Sequence, residues 1–104
     1  MKVLILGYSN LVRRKIINVL KKNNIEFCIA SLSSKKKEKK SYNWFRNYKE
    51  GLNQSNANLV YISLPNSLHY RWAKKALEKG YHVVVDKPIT QNLKQAKKLI
   101  QIAK

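Results

Sequence analysis

The sequence predicts an α/β fold built on a parallel, doubly wound sheet. Short apolar runs alternate with segments of helical period, and a glycine turn follows the first run. Continuous apolar runs suit strands buried on both faces, and alternating strands and helices imply parallel pairing through right-handed crossovers.

The first run, residues 2–6, is ended by Gly7. From Asn10 the period becomes helical, with Val12, Ile16, Val19 and Leu20 expected on one face and Asn23 and Asn24 as stop residues. Ile25 to Ala30 reads as a second strand carrying the single cysteine, Cys28. Ser31 to Ser41 is polar, lysine-rich and aperiodic, and reads as a loop. Tyr42 to Leu52 reads as a short helix with Trp44, Phe45 and Tyr48 turned inward. Leu59 to Leu64 is a third strand candidate. Leu68, Trp72, Ala76 and Leu77 then mark a helix that starts near Asn66 or Ser67 and ends at Gly80. His82 to Val85 supplies a fourth strand, and a closing helix from about Thr90 presents Leu93, Ala96, Ile100 and Ala103.

Four strands in the order 3-2-1-4, with helices on both faces, make a partial Rossmann-type sheet, one domain over residues 1–104. A fuller version of this fold would continue beyond the last helix, so the chain is expected to be part of a larger enzyme. No run approaches the roughly 18 apolar residues of a membrane helix. A lone cysteine rules out an internal disulfide, and a reducing, cytoplasmic location is expected.

The charge is strongly basic, with 22 Lys and Arg against 5 Asp and Glu, formally +17. Such a balance suits a polyanionic partner such as nucleic acid. Against that reading, 18 of the 22 are lysines spread over every expected helix. Lys, Asn and Ile are abundant together, as in a strongly AT-biased genome. A generally basic surface that suits an anionic cofactor is favoured. The alternatives are a stand-alone binding module acting through a partner protein and, behind it, a basic nucleic-acid binder resting on Lys35 to Lys49.

The chemistry is expected at the strand C-terminal ends. In a G-x-G-x-x-G fingerprint the glycines permit a tight turn, close approach of a diphosphate, and close helix–strand packing. This chain reads Gly7-Tyr8-Ser9-Asn10-Leu11-Val12, retaining only the first glycine. Gly7, Ser9, Asn10 and Leu11 are the expected diphosphate contacts, at a helix start that favours anions. After the second strand, where NAD-binding domains place an acidic residue on the ribose, stand Ser31, Ser33, Ser34 and Lys35. Hydroxyls backed by lysines suit a 2′-phosphate, so NADP is favoured over NAD. Two later motifs lie on the same edge: Leu64-Pro65-Asn66-Ser67-Leu68-His69 and Asp86-Lys87-Pro88. No metal site is expected.

These two motifs carry a family resemblance. Asn58 to Thr90 resembles the glucose–fructose oxidoreductase / inositol dehydrogenase (Gfo/Idh/MocA) family, whose members show T-P-N-x-x-H and then G-K/Y-H-V-x-x-E-K-P. Here the second stretch reads Gly80-Tyr81-His82-Val83-Val84-Val85-Asp86-Lys87-Pro88. The resemblance implies an NAD(P)-binding domain in which Pro65, Asn66 and His69 line the cofactor cleft. It assigns Leu64, Asp86 and Pro88 to the same cofactor-facing motifs. Lys87 would reach toward the nicotinamide and a substrate hydroxyl, as the one catalytic residue. Substrates would be sugars, sugar nucleotides or polyols. A second domain or partner chain would supply the substrate pocket, a proton-transferring histidine and a dimer interface. The 104 residues alone are therefore expected to be catalytically incomplete. The departures are Leu64 for Thr, Asp86 for Glu, and the two missing glycines.

Overall fold

The computed structural model describes residues 1–32 and 43–85. Among these, five strands pair in parallel in the order β3-β2-β1-β4-β5. They are β1 (Lys2–Leu6), β2 (Glu26–Ala30), β3 (Trp44–Phe45), β4 (Leu59–Ile62) and β5 (His82–Val85). The helices are α1 (Ile17–Lys22), entered through a π-helical turn at Val12–Ile16, α2 (Tyr48–Gln54) and α3 (Asn66–Glu78).

β1 is central, so Val3 to Leu6 are all buried. Because side chains alternate across a strand, they feed two cores. Leu4 and Leu6 join Cys28, Ala30, Val60 and Ile62 beneath α2 and α3, with Leu52, Trp72, Ala73 and Ala76. Val3 and Ile5 join Ile29 beneath α1, with Val12, Ile17 and Leu20. Helices thus cover both faces.

The expected order 3-2-1-4 holds, with the third place taken by β3. That pair lies inside the segment read as the start of a helix, so the Leu59 and His82 strands become fourth and fifth. The correction has a physical reason. Aromatic residues suit strands, and Asn47 ends the extended stretch by capping α2, its side chain accepting from the Glu50 N–H at 2.8 Å. Trp44 and Phe45 do turn inward, but to opposite faces, Trp44 to the α1 core and Phe45 to the other.

The helix after the glycine turn also departs from expectation. Val19 is 54% exposed, whereas Ile17 is 2% exposed. The Ile17 N–H reaches back to the Val12 carbonyl, a five-residue step that widens the turn and shifts the apolar face by one residue. The expected stop at Asn23 and Asn24 is present, Asn24 taking a positive φ of 56°. α3 begins after Pro65 and ends before Gly80, as its sequence signals require. The expected helix from Thr90 lies outside the described residues. No helix among those described is long and apolar enough to cross a membrane.

Candidate functional site

The C-terminal edge of the sheet gathers three chain segments: residues 7–11 after β1, Ser31 and Leu32 after β2, and residues 63–65 after β4. Hydrogen bonds continue past the strands and fix these segments side by side. The Gly7 N–H donates to the Ala30 carbonyl at 2.8 Å, and the Ser63 N–H donates to the Leu6 carbonyl at 2.9 Å.

Gly7 is required at its position twice over. Its φ is +99°, and a Cβ there would run into the Ser63 carbonyl and lie 2.9 Å from Leu64 Cδ2. The first glycine of the fingerprint therefore lets the β1 and β4 turns touch. Ser9, at the second glycine's place, acts as an N-cap. Its Oγ accepts from the Val12 N–H at 3.2 Å and lies 2.6 Å from Ser63 Oγ. Val12, at the third, is fully buried in the α1 core. A side chain there fills the space that a glycine would leave for closer helix packing.

Asn10 and Leu11 are exposed on this edge. Among the described residues no acceptor takes their backbone N–H groups, which face the helix start where an anion is favoured. Tyr8 closes one side of the turn. Its ring meets Trp44 edge-on at 5.2 Å, and the Arg13 guanidinium lies 5.8 Å from the ring centroid while donating to Asn10 Oδ1 at 3.2 Å. The start of α3 points its own positive end to the same edge.

The edge thus brings together Gly7, Ser9, Asn10, Leu11, Ser31, Leu64, Pro65, Asn66 and His69. Within this group burial differs: Pro65 is exposed, Ser31 is 5% exposed and His69 is 1% exposed. Ser33, Ser34, Lys35, Asp86, Lys87 and Pro88 lie outside the described residues. Reading the sequence alone missed Ser63, which touches the turn 54 residues earlier. The signal that could have found it is a small hydroxyl residue directly ahead of the Leu-Pro-Asn motif, at the end of the strand flanking β1. It also missed the Tyr8–Trp44–Arg13 cluster. Cys28 lies behind the edge, and burial pushes its thiol up to about 11, which leaves it a poor nucleophile.

An anion-favouring glycine turn on the carboxyl edge of a 3-2-1-4-5 parallel sheet is how a dinucleotide-binding domain is built. The residues present fit such a group: Gly7 keeps the turn tight, and the exposed Asn10 and Leu11 amides suit a diphosphate.

This chain belongs to the Gfo/Idh/MocA oxidoreductase family, whose NAD-binding Rossmann fold matches residues 1–104. It is 52% identical over 52 residues to the uncharacterized oxidoreductase YdgJ of Escherichia coli K12, covering 50% of this chain and 15% of YdgJ. A dTDP-3,4-didehydro-2,6-dideoxy-alpha-D-glucose 3-reductase of Actinomadura kijaniata is 38% identical over 53 residues, covering 51% of this chain and 16% of that protein. Among solved structures, a mutant of KijD10, a 3-ketoreductase from Actinomadura kijaniata in complex with TDP-benzene and NADP, superposes with a TM-score of 0.89 at 28% identity. That match covers 99% of this chain and 34% of KijD10. The matched stretch therefore spans about a sixth of the curated relatives and about a third of the solved one.

Proposed function

We propose that residues 1–104 form the domain holding NADP or NAD in an oxidoreductase of sugars, sugar nucleotides or polyols, with the diphosphate over Gly7 to Leu11. The observation that carries this reading is the contact of the β1 and β4 turns, which makes one continuous ledge from Gly7 to Pro65. The sugar-nucleotide substrate class is supported by the names of the Actinomadura kijaniata relatives.

In this reading Ser9, Asn10 and Leu11 orient the diphosphate through the helix start, and Ser31, Ser33, Ser34 and Lys35 meet the adenosine ribose. Leu64, Pro65, Asn66 and His69 border the nicotinamide side, with Asp86 and Pro88 framing Lys87. The chemistry that the bound cofactor supplies is hydride transfer. Lys87 donates a hydrogen bond to the substrate oxygen and steadies the charge that develops there. A proton carrier and most of the substrate pocket come from a second domain or a partner chain. The buried thiol of Cys28 suits a reducing, cytoplasmic setting.

The test is calorimetric titration of the 104-residue chain with NADPH and NADH. NADPH is expected to bind about tenfold more tightly, a difference that Lys35→Ala removes. No saturable binding of either at millimolar concentration overturns the cofactor reading, and equal affinities overturn the preference. With sugars or polyols added, cofactor is expected to bind without turnover.

A further inference from the structure

We propose that Ser63 is a positioning residue for the cofactor diphosphate: its hydroxyl donates to Ser9 Oγ, which turns the Ser9 proton outward to a phosphate oxygen. This rests on the dinucleotide reading above.

Proton counting carries the argument. A serine hydroxyl has one proton and two acceptor lone pairs. Ser9 Oγ already spends one lone pair on the Val12 N–H at 3.2 Å. Between Ser9 and Ser63, 2.6 Å apart, either can be the donor. If Ser9 donates, its only proton faces inward, and the hydroxyl nearest the edge offers an anion nothing but a lone pair. If Ser63 donates, both lone pairs of Ser9 are occupied and its proton has one direction left, outward beside the Asn10 and Leu11 amides. Ser9 is half-buried and Ser63 is 6% exposed, so Ser9 is the member of the pair that reaches the ledge. A phosphate selects the second arrangement, because a hydrogen bond to a charged acceptor outweighs a neutral one.

Ser63 is well held for this task. Its N–H is tied to the Leu6 carbonyl and its own carbonyl packs against Gly7, so the backbone that carries the hydroxyl is fixed beside the Gly7 turn. A serine in place of the second glycine thereby becomes a donor instead of an obstacle. That donor is set by a residue on the neighbouring strand.

The experiment is NADPH titration of the full chain carrying Ser9→Ala, Ser63→Ala or both, with thermal melts of each. Ser9→Ala is expected to weaken binding about tenfold and Ser63→Ala about three- to tenfold. The double variant is expected to be no weaker than Ser9→Ala, because Ser63 acts only through Ser9. Ser63→Thr and Ser63→Val have the same shape and differ in the hydroxyl. Thr is expected to bind like the unaltered chain and Val like Ser63→Ala, which separates proton placement from folding. Equal affinities for Thr and Val, or losses that add in the double variant, overturn the role of Ser63 while the dinucleotide reading stands. Absence of NADPH binding by the unaltered chain overturns that reading itself, and the proposal with it.

Discussion

Two strand–turn–helix units build the ledge, and they solve the same problem differently. The β4–α3 unit is locally regular: Pro65 sets the entry at φ −54° and ψ 148°, and α3 runs 13 residues to its end. The β1–α1 unit is irregular. It has a positive-φ glycine, a serine cap and a π-helical turn before α1 begins. The regular unit supplies a fixed surface, namely the Ser63 carbonyl and hydroxyl and the Leu64 side chain. The irregular one is moulded against it through Gly7 and Ser9. The degenerate glycine motif is thus compensated across the sheet instead of within its own turn.

The largest expected effect breaks this contact directly. Gly7→Ala combines backbone strain at positive φ with a clash against a backbone carbonyl that cannot step aside. We expect a loss of about 3–5 kcal/mol in denaturant melts and no saturable NADPH binding. A loss under about 1 kcal/mol would mean that the two turns are not in contact. Val12→Gly restores the third fingerprint glycine at the cost of a fully buried side chain. Losing that burial and placing a glycine inside the helix is expected to destabilise by about 2–4 kcal/mol. A more stable variant, or one that binds NADPH more tightly, would show that Val12 obstructs closer helix packing instead of filling a required place in the α1 core.

How much of this was legible follows the range of the interactions. β1, β2, β4, β5 and α3 were readable because each carries its own apolar pattern and its own stop residues. The position of the Leu64 to His69 stretch was readable because an apolar run ends there and a helical period begins after Pro65. β3 was not, since two aromatic residues satisfy a helical and an extended pattern equally well, and pairing with β2 decides between them. The one-residue shift of the buried face from Ile16 to Ile17 depends on which carbonyl the Ile17 N–H selects, and side-chain periodicity carries no record of that. The Ser9–Ser63 contact joins residues 54 apart and exists only once β1 and β4 are neighbours.

A smaller effect sharpens the comparison by acting away from the ledge. Gly51 sits within α2, where a Cβ would lie 2.9 Å from Ala30 Cβ and 3.1 Å from Leu4 Cδ1. Its place in α2 makes alanine a better helix former by about 1 kcal/mol, while overpacking costs about 1–3 kcal/mol. Gly51→Ala should therefore cost about 1 kcal/mol in melts and leave NADPH affinity unchanged in the folded chain. Weakened binding at full folding would show that the ledge depends on how closely α2 approaches the sheet.

The smallest effect is silent at neutral pH and concerns Cys28, in the strand behind Gly7. Burial raises its thiol to about 11, against about 8.5 for an ordinary thiol, because the thiolate is desolvated in the folded chain. The sign follows directly. Below about pH 8.5 the thiol is protonated in both states and contributes no pH dependence. Above it the unfolded chain ionises first, so the folded state loses stability as pH rises toward 11. Melts are expected to fall over that window and to fall less steeply in Cys28→Ala, which lacks the buried thiol but keeps Tyr48, raised in the same direction by burial. Iodoacetamide reports the same burial independently. Labelling at pH 9 should be far slower in the folded chain than in denaturant, and slower again with saturating NADPH, since cofactor bound to the ledge stabilises the folded state. Rapid labelling of the folded chain would place the β1–β2 core in frequent exchange with solvent. The ledge would then be anchored on the β4 side alone.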